Sequence, residues 1–140
     1  MNHDSYPSHY TTDILKAIKV IALVGASANV SRPSYGVMQF LLRKGYDVIP
    51  VNPGLAGKEI LGQLVYASLA EIPHAFDMVD IFRNSNAVAG IVDEALGLTE
   101  KPKVIWMQLA IRNDDAAAKA EAAGLQVVMN RCPAIELHHN

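Results

Sequence analysis

Apolar residues along the chain fall into five runs of strand length: Val20–Val24, Asp47–Val51, Met78–Phe82, Val104–Leu109 and Gln126–Met129. Most are continuous rather than alternating, which fits strands buried on both faces of a parallel sheet covered by helices. The segments between them carry helical spacing. Val37, Phe40, Leu41 and Lys44 share one face ahead of Gly45. Val88, Ile91, Val92, Ala95 and Leu96 repeat the i, i+3, i+4, i+7, i+8 pattern, with Ser85 or Asn86 as the expected cap and Gly97 as the stop. Asn113 leads an alanine-rich helix from Asp114 to Ala123, with acids in its first turn and Gly124 behind it. Between Pro53 and Pro73 the glycines at 54, 57 and 62 predict a loop, followed by one or two helical turns in Leu64–Ile72. Thr12 is the expected cap of a first short helix, Asp13–Lys19, whose Ile14, Leu15 and Ile18 face the sheet.

Strands alternating with helices predict right-handed crossovers and an α/β, Rossmann-like doubly wound parallel sheet of five strands, with helices on both faces. The expected strand order is 3-2-1-4-5, with ligand bound beyond the carboxyl ends of the strands where the winding reverses between strands 1 and 4. With 140 residues, 51% of them hydrophobic, the chain has the size and apolar content of one domain over residues 1–140, residues 1–11 forming a flexible N-terminal segment. A formal charge of −2 provides no broad positive field for nucleic acid. No apolar stretch reaches the roughly 20 residues that cross a bilayer, and the first twelve residues lack a signal-like apolar core, so a cytoplasmic location is expected. A single cysteine, Cys132, excludes an intramolecular disulfide and a multi-cysteine zinc site.

Each parallel strand delivers its next residues to one sheet edge. Strand 1 delivers Gly25, Ala26 and Ser27, continuing through Arg32, Pro33 and Ser34 into a helix. Strand 2 delivers Asn52, Pro53 and Gly54; strand 3, Arg83, Asn84 and Ser85; strand 4 ends in Trp106, Met107 and Gln108; and strand 5 delivers Asn130, Arg131, Cys132 and Pro133. The first loop is an anion site in outline: glycine lets backbone N–H groups approach a phosphate, the helix N-terminus adds unpaired donors, Ser27 and Ser34 add hydroxyls, and Arg32 adds a guanidinium fork. The competing reading is a plain turn with a solvated arginine. The loop has Gly25 but lacks the other two glycines of the dinucleotide fingerprint. Asn52-Pro53 stands where an NAD site carries an acid, and no Lys-Ser or Lys-Thr pair closes a Walker loop.

The strings GASANVSRPSYGV, GYDVIPVNPG, VDIFRNSNAVAGIVDEAL, VIWMQLAI and VVMNRCPAIE, in this order between Ile14 and Leu137, resemble the small stand-alone CoA-binding domain proteins. That family is related to the N-terminal domain of succinyl-CoA synthetase α subunits. The resemblance implies coenzyme A (or acyl-CoA) as ligand, with Gly25, Ala26, Ser27, Arg32 and Ser34 near its phosphates. It implies Asn52 and Pro53 beside the nucleotide, and Phe82, Arg83 and Gln108 farther along the pocket. The synthetases carry more glycine in the first loop and a lysine after strand 2, where this chain has Lys58 after Gly-Leu-Ala-Gly. The family commonly has glycine at the position of Ala110. The synthetases' phosphorylated histidine belongs to a second domain, so ligase activity is not implied.

Other residues have bland readings beside functional ones. Cys132, at the mouth of strand 5, is positioned to meet a pantetheine sulfur, yet no histidine lies near it in sequence to act as base, and a buried structural cysteine is the default. Arg83 is as well explained by an ion pair with Asp80 as by a ligand, and Gln108 by a backbone-satisfied amide. His3, His9, His74 and the adjacent His138 and His139 do not form a metal site. The expected function is CoA binding without catalytic machinery, as a carrier, sensor or separate subunit, with a homodimer or a partner enzyme subunit as the protein partner. The alternatives are an NADP-linked oxidoreductase, a CoA-dependent transferase using Cys132, and a scaffold with no ligand.

Overall fold

The computed structural model describes residues 1–138; His139 lies outside the described residues. All five predicted strands form, as β1 (Val20–Val24), β2 (Asp47–Val51), β5 (Met78–Ile81), β6 (Val104–Met107) and β7 (Gln126–Val128). They build one wholly parallel sheet. Helices α1 (Tyr10–Ala17), α2 (Pro33–Arg43) and α5 (Pro133–His138) pack on one face; α3 (Val88–Leu96) and α4 (Asp114–Ala122) cover the other. The fold is Rossmann-like and doubly wound, as the pattern predicts.

The neighbours within the sheet differ from the expectation. The order is β2-β1-β5-β6-β7, or 2-1-3-4-5 among these five strands, and not 3-2-1-4-5. Pro50 lies inside β2 with its carbonyl turned to the outer edge, where it accepts a hydrogen bond from the Tyr66 N–H, and its ring nitrogen has no hydrogen to offer there. The Asn52 N–H completes this isolated bridge by donating to the Tyr66 carbonyl. A strand interrupted by proline belongs at an edge, and the bridge occupies the place a third strand would have taken. The chain therefore crosses back and adds β5 on the far side of β1, in register from Ile21↔Met78 to Val24↔Ile81. The winding reverses between β1 and β5.

Within the stretch predicted as a loop, β3 (Glu59–Ile60) and β4 (Gln63–Leu64) form a hairpin, and the helical turns predicted in Leu64–Ile72 come down to one 3-10 turn, Leu69–Glu71. Leu61 and Gly62 both have positive φ, 51° and 79°, the requirement of a tight hairpin turn. Asn84, rather than Ser85 or Asn86, caps the turn that opens α3, its side chain accepting from the Ala87 N–H. Asn113 caps α4 as expected. The first helix begins at Tyr10, so Thr12 lies within it, and α5 is an addition to the predicted elements.

Residues 1–11, expected to be a flexible segment, pack over β7. The buried His3 ring bridges the Tyr6 hydroxyl (2.7 Å) and Glu121 (3.0 Å). The Tyr6 oxygen accepts from the Met129 N–H, and the Tyr10 hydroxyl donates to the Val127 carbonyl. These contacts cover the outer edge of β7 and leave fewer unpaired backbone groups there.

At the opposite end of the sheet, Asp77 fastens the start of β1 by accepting from the Lys19 and Val20 N–H groups at 2.9 and 3.0 Å. Partial burial works to raise its carboxyl, but these two donors and the Lys103 charge together hold it below the usual carboxylate range. Such a group stabilises the fold above the unfolded-state pKa and loses that effect as pH falls through the folded one. Asp77→Ala is therefore expected to cost about 1 kcal/mol at neutral pH in urea denaturation, the gap from wild type closing in acid.

Where β1 ends, Gly25 takes φ +91°, and a Cβ built there would lie 2.6 Å from the Phe82 carbonyl oxygen. Two constraints thus exclude a side chain: the backbone conformation and the approach of β5. Gly25→Ala is expected to destabilise the fold by at least about 2 kcal/mol. It should also shift the Phe82 and Arg83 amide resonances in a spectrum of the folded variant.

Candidate functional site

The loop after β1 is held open by its own side chains. Ser27 Oγ accepts from the Asn29 N–H, and Asn29 Oδ1 accepts from both the N–H and the hydroxyl of Ser31. Asn52 ties this loop to the end of β2: its Nδ2 donates to the Ala26 carbonyl at 2.8 Å and its Oδ1 accepts from the Gly54 N–H at 2.8 Å. Both ends of that amide are engaged within the protein, so Asn52 shapes the site rather than offering free side-chain groups to it. The Gly25 and Ala26 N–H groups both turn back to the Val51 carbonyl.

What these ties leave is a cleft of about 480 Å³ between the ends of β1, β2 and β5, within the size range of small-molecule sites. Gly25, Ala26 and Ser27 form one wall, Arg32, Pro33 and Ser34 the start of α2, Asn52 and Pro53 a second wall, and Phe82 and Arg83 a third. Nine of the ten residues singled out from the sequence meet here. The Ser27, Ala28 and Ser34 N–H groups have no protein acceptor among the described residues. The guanidinium groups of Arg32 and Arg83 have no protein partner among them either, and α2 points its N-terminus into the cleft. Free N–H donors, a helix N-terminus and two cations on one concavity are complementary to phosphate.

Gln108 is the tenth residue and does not line the cleft. It is buried one strand farther on, its N–H donating to the Ile81 carbonyl, and its Oε1 has no hydrogen-bond partner. Nor does Arg83 pair with Asp80: both Asp80 carboxyl oxygens are without a partner, and complete burial pushes that carboxyl well above the usual range. Lys58 lies in the connection to the hairpin, outside the cleft. Cys132 is buried in the core beside Trp106, whose indole N–H donates to the Arg131 carbonyl. Ala110 has φ +67° and its N–H donates to Asn130 Oδ1, a left-handed position where glycine would be less strained. Among the described residues no group of three or more His, Cys, Asp or Glu side chains is placed to hold a metal, and no helix is long and apolar enough to cross a membrane.

The role of Asp80 was not legible as anything but a partner for Arg83. The signal was present, however: an acid inside an otherwise apolar strand, with no basic residue in any neighbouring strand.

The family model described as a CoA binding domain matches residues 19–138. An uncharacterized protein of Bacillus subtilis, YneT, is 37% identical over 120 residues, 86% of each chain. A hypothetical protein of Pyrococcus horikoshii OT3 superposes with a TM-score of 0.90 at 37% identity, covering 99% of this chain and 95% of its own. The α subunit of the ADP-forming acetate–CoA ligase I of Pyrococcus furiosus is 35% identical over 80 residues, which is 54% of this chain but 17% of the subunit. With the family model spanning β1 to α5 and full-length relatives at this level of identity, the chain belongs to the CoA binding domain family.

Proposed function

We propose that this protein binds coenzyme A, free or acylated, in the cleft between β1 and β5, and acts as a carrier, sensor or separate subunit with no group-transfer step of its own. One observation carries the reading: Ser27 and Ser34, with unpaired N–H donors, and Arg32 and Arg83, with unpaired guanidinium groups, line a single cleft at the point where the sheet winding reverses. Membership of the CoA binding domain family supports coenzyme A as the nucleotide.

The residues present fit such a ligand. The Ser27, Ala28 and Ser34 N–H groups would hold phosphate oxygens, with Arg32 and Arg83 balancing their charge, and Pro53 and Phe82 would give the nucleotide apolar walls. Coenzyme A would supply a thiol to carry an acyl group. The chain's own part is binding, orientation and charge balance. A nicotinamide dinucleotide is poorly served, because the position that recognises ribose hydroxyls in such sites is Asn52, whose amide is already spent on Ala26 and Gly54. A transferase role for Cys132 lacks support, since the thiol is buried in the core and does not line the cleft.

Isothermal titration with CoA tests the reading. We expect saturable binding that weakens about tenfold in Arg32→Ala, the loss of one charge-assisted phosphate contact, and that falls with added salt. NADPH is expected to give no heat beyond dilution. Absence of CoA binding by protein stripped of any co-purified ligand would refute the proposal.

A further inference from the structure

The two edges of the sheet are closed by different means. At β2 a proline and a bridge to Tyr66 do it. At β7 side chains of the N-terminal segment do it. Gln126 donates its N–H to the Lys103 carbonyl on the β6 side, so by strand alternation Val127 and Met129 turn their N–H and C=O groups outward. The Tyr10 hydroxyl donates to the Val127 carbonyl at 2.9 Å, and the Tyr6 oxygen accepts from the Met129 N–H at 2.8 Å. This acceptor and donor flank Val128 and form the pair that a further strand would bond, so the two hydroxyls stand in for that strand. The other outward groups, the Val127 N–H and the Met129 carbonyl, have no protein partner among the described residues. The cover is itself held by side chains. Because the Tyr6 oxygen accepts from Met129, its hydrogen is left for His3 Nδ1, 2.7 Å away, and His3 Nε2–H donates to Glu121 at 3.0 Å. The Tyr6 and Tyr10 rings stack with centroids 5.1 Å apart. Residues 1–9 belong to no helix or strand, so this part of the segment leaves the edge without breaking one.

We propose that Tyr6 and Tyr10 form a removable cover on β7, and that the place they hold is the one a second copy of this chain takes, adding its own β7 antiparallel across a two-fold axis. The edge is self-complementary for that pairing. An axis at Val128 sets Val127 of each copy opposite Met129 of the other. Each Val127 carbonyl then accepts from the other copy's Met129 N–H, and each Val127 N–H donates to the other copy's Met129 carbonyl. All the outward groups of β7 are paired in this way, whereas the tyrosines satisfy only the Val127 carbonyl and the Met129 N–H. The β2 edge has no such use, because Pro50 lacks an N–H and its carbonyl is already taken by Tyr66. This inference stands apart from the CoA reading, since the cleft lies between β1, β2 and β5 and the cover lies on β7.

Sedimentation and amide hydrogen exchange of the full chain test the cover together. In Tyr6→Ala/Tyr10→Ala the mass should climb with protein concentration toward twice that of wild type, while wild type shows no such climb over the same range. Exchange reads which edge is used. In the dilute variant the Val127 and Met129 amides should both exchange freely, and in the concentrated variant both should slow at least about tenfold. Val127 is the diagnostic amide, because its N–H has no protein partner while the tyrosines are in place. Tyr6→Ala alone changes no helix or strand residue; it serves if the double variant does not fold, and should show the same climb in mass and the same slowing at Val127. A folded variant that keeps the wild-type mass at every concentration, or one that associates without slowing Val127 and Met129, would overturn the proposal.

Discussion

The outer edge of β2 is closed by a proline and a single bridge, and the arrangement of the site follows from that. Pro50 cannot donate outward, and Tyr66 takes up the neighbouring carbonyl and the Asn52 N–H, so no strand adds there. The next strand is driven to the other side of β1, which places Phe82 and Arg83 directly beside Gly25. In the order 3-2-1-4-5, those two residues would have stood two strands away from the Gly25 loop, and its neighbour would have been the end of the strand that carries Gln108. Arg83 joins Arg32 in the cleft because β5, and not β6, lies beside β1.

Once the strands are so ordered, the lack of a side chain at Gly25 matters as much as the groups around it. The close approach of the Phe82 carbonyl leaves no space for a Cβ, and the left-handed backbone there is one that glycine takes without strain. Asn52 then fixes the loop by spending both ends of its amide on protein partners. The donors left over are backbone N–H groups, whose positions are set by the fold and need little reorganisation on binding. The two arginines sit at the rim, exposed. This division suits a phosphate-bearing ligand: rigid neutral donors fix position, and mobile charges at the rim speed and strengthen association.

Much of this was readable from the residues. Continuous apolar runs located all five sheet strands, and nine of the ten residues singled out line the cleft, because parallel strands deliver their successors to one edge. The strand order was missed although Pro50 stood in plain view; its meaning depends on which side of the strand its nitrogen faces, and that is a matter of register. The hairpin at 59–64 was read as a loop, then helical turns, because two-residue strands leave no periodicity, while the Leu61-Gly62 turn needed attention to a non-glycine residue at positive φ. Packing of the N-terminal segment was missed for another reason: His3, Tyr6 and Tyr10 find their partners in α4 and β7, more than a hundred residues away. Gln108 was placed on the correct edge, but β5 lies between β1 and β6, which leaves it one strand too far to line the cleft.

The central claim is that a phosphate-bearing CoA molecule occupies the cleft between β1 and β5. Titrating CoA into 15N-labelled protein while following backbone amide resonances tests it most directly. The account predicts saturable shifts centred on Ser27, Ala28, Ser34, Phe82 and Arg83, with the amides of β7 and α4 nearly unmoved. Shifts confined to another face of the sheet, or none at ligand excess, would contradict it.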